Sequence, residues 1–282
     1  MIVVTGATGN VGGELVRALA ARGDTAVRAV ARRPDPAAFP PGVEVAAVDL
    51  ADPVSLGPAL AGARGLFLLG GFAGAELLAT ARQAGVDHVV LLTSRCVVGG
   101  RPDNAITRMW LDAEDAVRSS GLAWTILRPS GFHSNALRWL PQLQAGDVVQ
   151  APWPAVAIAS IDPADIAAVA AVALTEPGHE GTALPLSGPE ALTPADLVAV
   201  LADVLGRPLR YEPLADDDAR ARMAADGMPP PFVDAQFRFF SDAEFDDSPV
   251  LDTVRAVTGR EPRTFAGWAR AHAADLAAGP EG

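Results

Sequence analysis

The chain has 282 residues, 50% of them hydrophobic, and a net charge of -12. That length allows one large domain, or a domain with an appendage, and the acidic balance excludes the broad basic face that nucleic acid or an acidic membrane requires. The single cysteine, Cys96, excludes an internal disulfide; arginine alone accounts for all 22 basic residues, so any mechanism that needs lysine is excluded too.

In chain order, "IVVTG" (2–6) is a strand candidate that runs into "ATGNVG" and then a helix-compatible stretch ending at Gly23. Strand candidates follow at 25–32, 43–50, 65–70, 88–94 and 123–129. Most are apolar nearly throughout, as parallel strands covered on both faces are. Ala/Leu/Arg/Glu-rich stretches lie between them, several closing on Gly, a common helix stop. This alternation predicts an α/β fold, a Rossmann-type doubly wound parallel sheet with a smaller C-terminal substrate-binding or lid region. The expected division is 1–128 for dinucleotide binding and 129–282 for substrate and lid, with elements returning to the core. With a strand at the very start there is no room for a signal peptide. No apolar run approaches the roughly 18–20 residues of a membrane span, so a cytoplasmic protein, monomer or homodimer, is expected.

The first βα turn places glycines at Gly6, Gly9 and Gly12. Glycine lets the backbone turn tightly and approach a pyrophosphate without a Cβ in the way, and the helix start offers free N–H groups. Thr8, Asn10 and Val11 are placed against that pyrophosphate. After the second strand, "AVARRP" brings Arg32 and Arg33 where a carboxylate would grip a ribose hydroxyl. Paired arginines there point to the extra phosphate of NADPH/NADP, with solvated surface arginines as the alternative. Asp49 and Leu50 fall beside the adenine and Leu69 and Gly70 beside the adenosine ribose.

Beyond residue 129 the alternation loosens. "DPADIAAVAAVALTEPG" reads as a capped helix, "TALPLSG" as a further strand, "TPADLVAVLADVLG" as a helix and "PLRYEPL" as a short strand. Residues 216–245 mix charge, proline and methionine, which suits either a lid or a surface helical hairpin. Trp110, Trp139, Trp153, Phe132 and the 223–240 segment are candidates for an apolar pocket, with core packing as the alternative. No His/Cys/Asp cluster has metal-ligand spacing, so no metal is expected.

"TGATGNVG", "ARRP", "LLTS" and above all "SGLAWTILRPSGFHSN" resemble the NmrA-like atypical short-chain dehydrogenase/reductases, over about residues 1–175. The resemblance implies an NADPH-dependent oxidoreductase or a non-catalytic NADP-binding redox sensor that regulates a partner protein. A cyclase or isomerase on the same fold is a third possibility. The wider family uses a Tyr-x-x-x-Lys pair; here "RMWLDAEDAV" has neither residue, and the only tyrosine is Tyr211. Thr93 and Ser94, ending the fifth strand, and His133 remain as catalytic candidates, each with a structural alternative; Pro129 borders the nicotinamide. The missing acid suggests a ketoreductase whose small aromatic ketone supplies its own proton from a neighbouring hydroxyl. Such a route suits actinobacterial aromatic-polyketide (angucyclinone-type) ketoreductases of antibiotic biosynthesis.

Overall fold

A computed structural model describes residues 1–277, so the last five positions of the expected C-terminal region lie outside the described residues. β1 (Ile2–Thr5) leads into α1 (Asn10–Arg22), followed by β2 (Val27–Ala31), β3 (Glu44–Ala47), α2 (Pro53–Ala59), β4 (Gly65–Leu69) and α3 (Ala75–Gln83). Next come β5 (His88–Leu92), α4 (Cys96–Gly99), α5 (Ala105–Arg118), β6 (Ala123–Pro129), α6 (Leu140–Ala145), β7 (Val148–Ala151), α7 (Pro163–Thr175) and β8 (Thr182–Leu186). The order closes with α8 (Pro194–Leu205), β9 (Arg210–Pro213), α9 (Asp216–Ala225), α10 (Pro230–Phe240), α11 (Thr253–Thr258), α12 (Phe265–Ala271) and α13 (Ala273–Ala277).

Seven strands form one parallel sheet in the order β3-β2-β1-β4-β5-β6-β8. Its strands are apolar because both faces are covered. Val4, Phe67, Val90 and Leu127 pack beneath α1 and α7, while Val3, Leu66, Leu91 and Ile126 pack against α2, α3 and α5. α1 buries Val11, Leu15, Val16 and Leu19 along one stripe and stops at Gly23, whose φ of 72° only glycine adopts freely. Each fully buried Leu or Val contributes about 1.5–3 kcal/mol. α7 is apolar almost all round, and its alanines let it lie close to α1. Asp162 caps it by accepting the Ala164 N–H at 2.8 Å.

Two features depart from the sequence reading. β7 forms in a stretch for which no strand was expected and pairs in parallel with β9, making a separate two-stranded sheet. The aromatic residues expected to line one pocket are dispersed. Phe132 packs against the main core, Trp139 in a cluster with Phe265 and Trp268, and Trp153 against Phe237 beside α9 and α10. Each ring reached the nearest apolar cluster that its own element could close.

β1 and β4 are neighbours although β2 follows β1 in the chain, so the strand order reverses between them. Ligands of open α/β sheets bind at the carboxyl ends beside such a switch point.

Candidate active site

β1 ends at Thr5, whose hydroxyl donates to the Phe67 carbonyl of β4 at 2.9 Å and ties the two strands together at the switch point. Gly6 then takes φ 61°, and the Leu69 side chain packs so closely that a Cβ at Gly6 would lie 2.6 Å from Leu69 Cδ1. The Gly9 N–H closes the turn on the Gly6 carbonyl at 2.8 Å. A Cβ at Gly12 would overlap the same Gly6 carbonyl, so the turn and the helix fit only without side chains. Gly9 is the N-cap of α1, no side chain caps that end, and no acidic residue stands in the first turn. The first amides of the helix are therefore open to an anion. Thr8, Gly9 and Asn10 are exposed there, while the Val11 side chain is buried and offers only its amide.

Asn10 donates through Nδ2 to Ser134 Oγ at 3.0 Å, which links the glycine turn to the segment after β6. Between Thr8, Asn10, Phe39, Ser134, Asp162 and Trp268 lies a cleft of about 370 Å³. Ser134 had no sequence signal beyond its place in "RPSGFHSN".

At the adenosine end, Arg32 and Arg33 follow β2, exposed, and neither has an ion-pair or hydrogen-bond partner among the described residues. Asp49 is exposed and its Oδ1 accepts the Ala51 N–H at 3.0 Å. Leu50 lines an open hollow of about 760 Å³ with Ala51, Gly71, Phe72 and Leu77. Leu69 is turned toward Gly6. Gly70 is buried, and a Cβ on it would lie 2.7 Å from both the Leu92 carbonyl and Trp110 Cζ3.

At the ends of β5 and β6, side chains fill one another's needs. Thr93 is 4% exposed, and its one hydroxyl proton faces two acceptors, Glu114 Oε1 at 3.1 Å and the Leu127 carbonyl at 3.2 Å. Glu114 is fully buried on α5; Arg128 binds both its oxygens, at 2.9 and 2.6 Å, and Arg118 binds Oε2 at 2.6 Å. Burial alone would raise this carboxyl, but the two guanidiniums and Thr93 hold it below the usual carboxylate value. Ser94 is half-buried; it accepts the Cys96 N–H at 3.4 Å, and its hydroxyl is also hydrogen-bonded to the Cys96 side chain.

Arg95 is 5% exposed and joins β5 to the 246–249 segment. It donates to the Pro249 and Asp246 carbonyls at 2.7 and 2.9 Å and lies 2.8 Å from Asp247 Oδ1. Asp247 Oδ2 accepts the Gly131 N–H at 3.1 Å, just beyond Pro129 at the end of β6. Burial pushes the Asp247 carboxyl up against the pull of Arg95. Neither Arg95 nor Asp247 carried any local motif, so sequence reasoning missed the pair.

His133 is 1% exposed, with Nδ1 3.0 Å from Ser160 Oγ and Nε2 3.3 Å from the Arg263 carbonyl. Its ring packs edge-on against Phe265, and burial lowers its pKa. Tyr211 donates its hydroxyl to the Ala151 carbonyl at 2.9 Å within the β7–β9 sheet. Among the described residues no three His, Cys, Asp or Glu side chains are placed to hold a metal ion, and no helix is long and apolar enough to cross a membrane.

Residues 6–177 match the family described as NAD(P)H-binding. The chain belongs to this NAD(P)H-binding family. It is 42% identical to the (4-alkanoyl-5-oxo-2,5-dihydrofuran-3-yl)methyl phosphate reductase of Streptomyces griseus, over 97% of this chain and 98% of that one. It is 38% identical to the NAD(P)H azoreductase of Xenophilus azovorans, over 99% of this chain and 100% of that one. Its fold matches the NADPH complex of an NADPH-dependent quinone oxidoreductase from Escherichia coli with a TM-score of 0.78 and 25% identity, covering 97% of this chain and 99% of that one. The protein is an NAD(P)H-dependent oxidoreductase, and the glycine turn, with its open amides, fits the cofactor's pyrophosphate.

Proposed function

We propose that this NmrA-like reductase passes hydride from NADPH to a small conjugated carbonyl compound, and that no protein side chain supplies the proton. One observation carries the reading: Glu114, His133 and Tyr211 are each already engaged. Glu114 is held ionised by two arginines, His133 is enclosed with both ring nitrogens engaged, and the hydroxyl of Tyr211 is bonded inside a remote sheet. Hydride addition to an isolated ketone leaves a strongly basic alkoxide that needs an acid at once. A conjugated acceptor instead yields a delocalised enolate or hydroquinone anion, which water protonates later. An aromatic ketone with an adjacent hydroxyl reaches the same end by internal proton transfer, as the composition and the missing Tyr/Lys pair suggested. The alkanoyl-furanone, azo and quinone relatives are named for electron-poor conjugated acceptors, which supports this class.

In this reading, Thr8, Asn10 and Ser134 flank the pyrophosphate, and the amides of Asn10 to Gly12 bind it. Arg32 and Arg33 select the 2′-phosphate, and Leu50, Ala51 and Phe72 cover the adenine. Ser94 donates to the acceptor oxygen, whereas Thr93, bound to Glu114, fixes the end of β5. The bound cofactor supplies the hydride; the chain orients the nicotinamide between the ends of β5 and β6, with Pro129 as one wall. His133 braces the 133–139 segment.

The test is NADPH oxidation with menadione, ortho-hydroxyacetophenone, acetophenone and cyclohexanone. Turnover is expected with the first two and not with the last two. Equal turnover of cyclohexanone and menadione would overturn the reading.

A further inference from the structure

Residues 242–251 are neither helix nor strand, yet they form a strap tied across the carboxyl ends of three neighbouring strands, β5, β6 and β8. Just past β5, Arg95 donates to the Asp246 and Pro249 carbonyls and pairs with Asp247 Oδ1. Just past β8, the buried hydroxyl of Ser187 accepts the Leu251 N–H at 2.8 Å. Between them, the Asp247 carbonyl accepts the Ala159 N–H at 2.8 Å, and Asp247 Oδ2 accepts the Gly131 N–H beyond β6. The buried Ser130 hydroxyl lies against the same carboxylate. Arg95 therefore reaches the loop after β6 twice. Its backbone N–H donates to the Pro129 carbonyl at 2.9 Å, and its guanidinium acts through Asp247 on Gly131. Ser130 between them donates its N–H to the Leu186 carbonyl at 2.8 Å, and the Gly131 carbonyl accepts the Ile161 N–H at 2.8 Å. Of these holds on 129–131, the bond to the Gly131 N–H is the one a side chain makes. A Cβ at Gly131 would stand 3.2 Å from Ile158 Cγ2, so the loop is also packed closely on its far side. Asp247 is 7% exposed, and a buried ion pair adds little stability because desolvation offsets its attraction.

We propose that Arg95 and Asp247 are a positioning pair for hydride transfer, holding the 129–131 loop through the Gly131 amide so that the nicotinamide presents one face to the acceptor. This rests on the reductase reading above, in which Pro129 walls the nicotinamide, and adds the residues that set that wall. Neither side chain is a reacting group. Arg95 is taken up by two carbonyls and Asp247, and Asp247 by Arg95 and Gly131. The step keeps its balance: the hydride leaves the nicotinamide with both electrons, the π pair of the acceptor moves to oxygen, and the ion pair neither gives nor takes a proton. Its contribution is geometric, since a wall misplaced by about 1 Å can cost on the order of 100-fold in rate. Among the described residues the glycine turn, Arg32 and Arg33 make no bond to the strap, so cofactor affinity and hydride geometry are separable.

The experiment follows single-turnover oxidation of NADPH by menadione, with the cofactor deuterated on one or the other face of its nicotinamide C4. Wild type should transfer the hydrogen of one face and retain the other. Asp247→Ala removes the acceptor of the Gly131 N–H, while Arg95 keeps its two carbonyls and the strap stays tied. It is expected to slow transfer at least about tenfold and to pass a measurable share of the wrong hydrogen, with the calorimetric Kd for NADPH within about twofold of wild type. Asp247→Asn, whose amide oxygen can still accept the Gly131 N–H, should restore the face selectivity and bring the rate to within about threefold. Asp247→Glu keeps the charge beside Arg95 but shifts the carboxylate by one methylene; it serves where the alanine variant does not fold, and is expected to lose rate and selectivity together. Wild-type rate and selectivity in Asp247→Ala, or in Asp247→Glu where that replaces it, overturns the inference and leaves the reductase reading intact. So does a loss confined to the NADPH Kd, or an Asp247→Asn as impaired as Asp247→Ala. A wild type that binds NADPH and reduces none of the acceptors overturns the reductase reading instead.

Discussion

At the glycine turn the groups that face the ligand are backbone amides left open by the sequence; at the ends of β5 and β6 they are side chains that answer one another. Gly9 caps α1 without a side chain, Gly12 fits only because it has none, and Arg32 and Arg33 have no partner among the described residues. On the other side Glu114 binds Thr93, Arg118 and Arg128, and Asp247 binds Arg95 and Gly131. In the proposed reading, the first region is a receptor held open for a charged part of the cofactor. The second is a rigid frame with its charges already spent, fit to position a neutral acceptor and to leave proton chemistry to others.

The largest effect that can break this contrast is expected at Glu114. Glu114→Ala strands two guanidiniums, of which Arg128 is only 18% exposed, and removing one partner of a buried pair costs about 3–5 kcal/mol. Arg118 is 32% exposed and adds less because solvent screens it. Chemical denaturation measures the loss, and a cost under about 1 kcal/mol would show that the frame is not electrostatic. The folded pKa of Glu114 is lowered, so its stabilisation is complete above its unfolded value and fades as pH falls through the folded one.

Gly12→Ala comes next, forcing a Cβ into the Gly6 carbonyl at a cost of about 1–3 kcal/mol. It should also abolish the heat of NADPH binding. Gly57→Ala in α2, whose Cβ would meet only an ordinary contact with Thr80, serves as the neutral control. An unaltered NADPH isotherm in Gly12→Ala would refute the backbone receptor.

How much of this was legible follows from the range of each interaction. The turn was readable because strand, glycines and helix are contiguous, and Gly9 and Gly12 answer to Gly6 a few residues away, although Gly6 itself answers to Leu69 on β4. The ends of strands four to six were readable as places, but not as contacts. Nothing local to "RMWLDAEDAV" tells that Glu114 meets Arg128 across to β6, and nothing in "FDDSPV" announces the partner of Arg95. β7 escaped because its four residues carry no alternation of their own and become a strand only by pairing with β9. Trp110 and Gly70 were each noticed separately; their contact was invisible until the sheet ordered β4 beside β5.

A smaller effect is expected from Arg32→Ala and Arg33→Ala. Each should weaken NADPH about tenfold while leaving NADH unchanged, since only one cofactor carries the phosphate they would meet. Parallel titrations of the two cofactors check it, and equal losses for both would assign the arginines to the surface.

The smallest effect on turnover belongs to His133→Gln, with kcat expected within about twofold of wild type if the ring is only a brace. Stability tells more. Burial lowers the folded pKa of His133, so the unfolded chain binds the proton more readily, and stability falls as pH drops below the unfolded value of about 6.5. His88, also lowered by burial, contributes in the same direction. His133→Gln should therefore flatten, without erasing, the loss of stability toward acid in melts taken across that range.

Single-turnover hydride transfer to menadione, followed by NADPH absorbance from about pH 6 to pH 9, tests the acid-free acceptor site most directly. The groups around that site are Glu114, Asp247, Cys96 and His133; none is expected to set the rate, because two arginines hold Glu114 low, Asp247, though raised by burial, stays paired with Arg95, burial raises the Cys96 thiol to about 11, and His133 is enclosed. A rate constant that stays flat across the range is the predicted result. A sigmoidal profile that vanishes in His133→Gln would show that the protein supplies the proton after all.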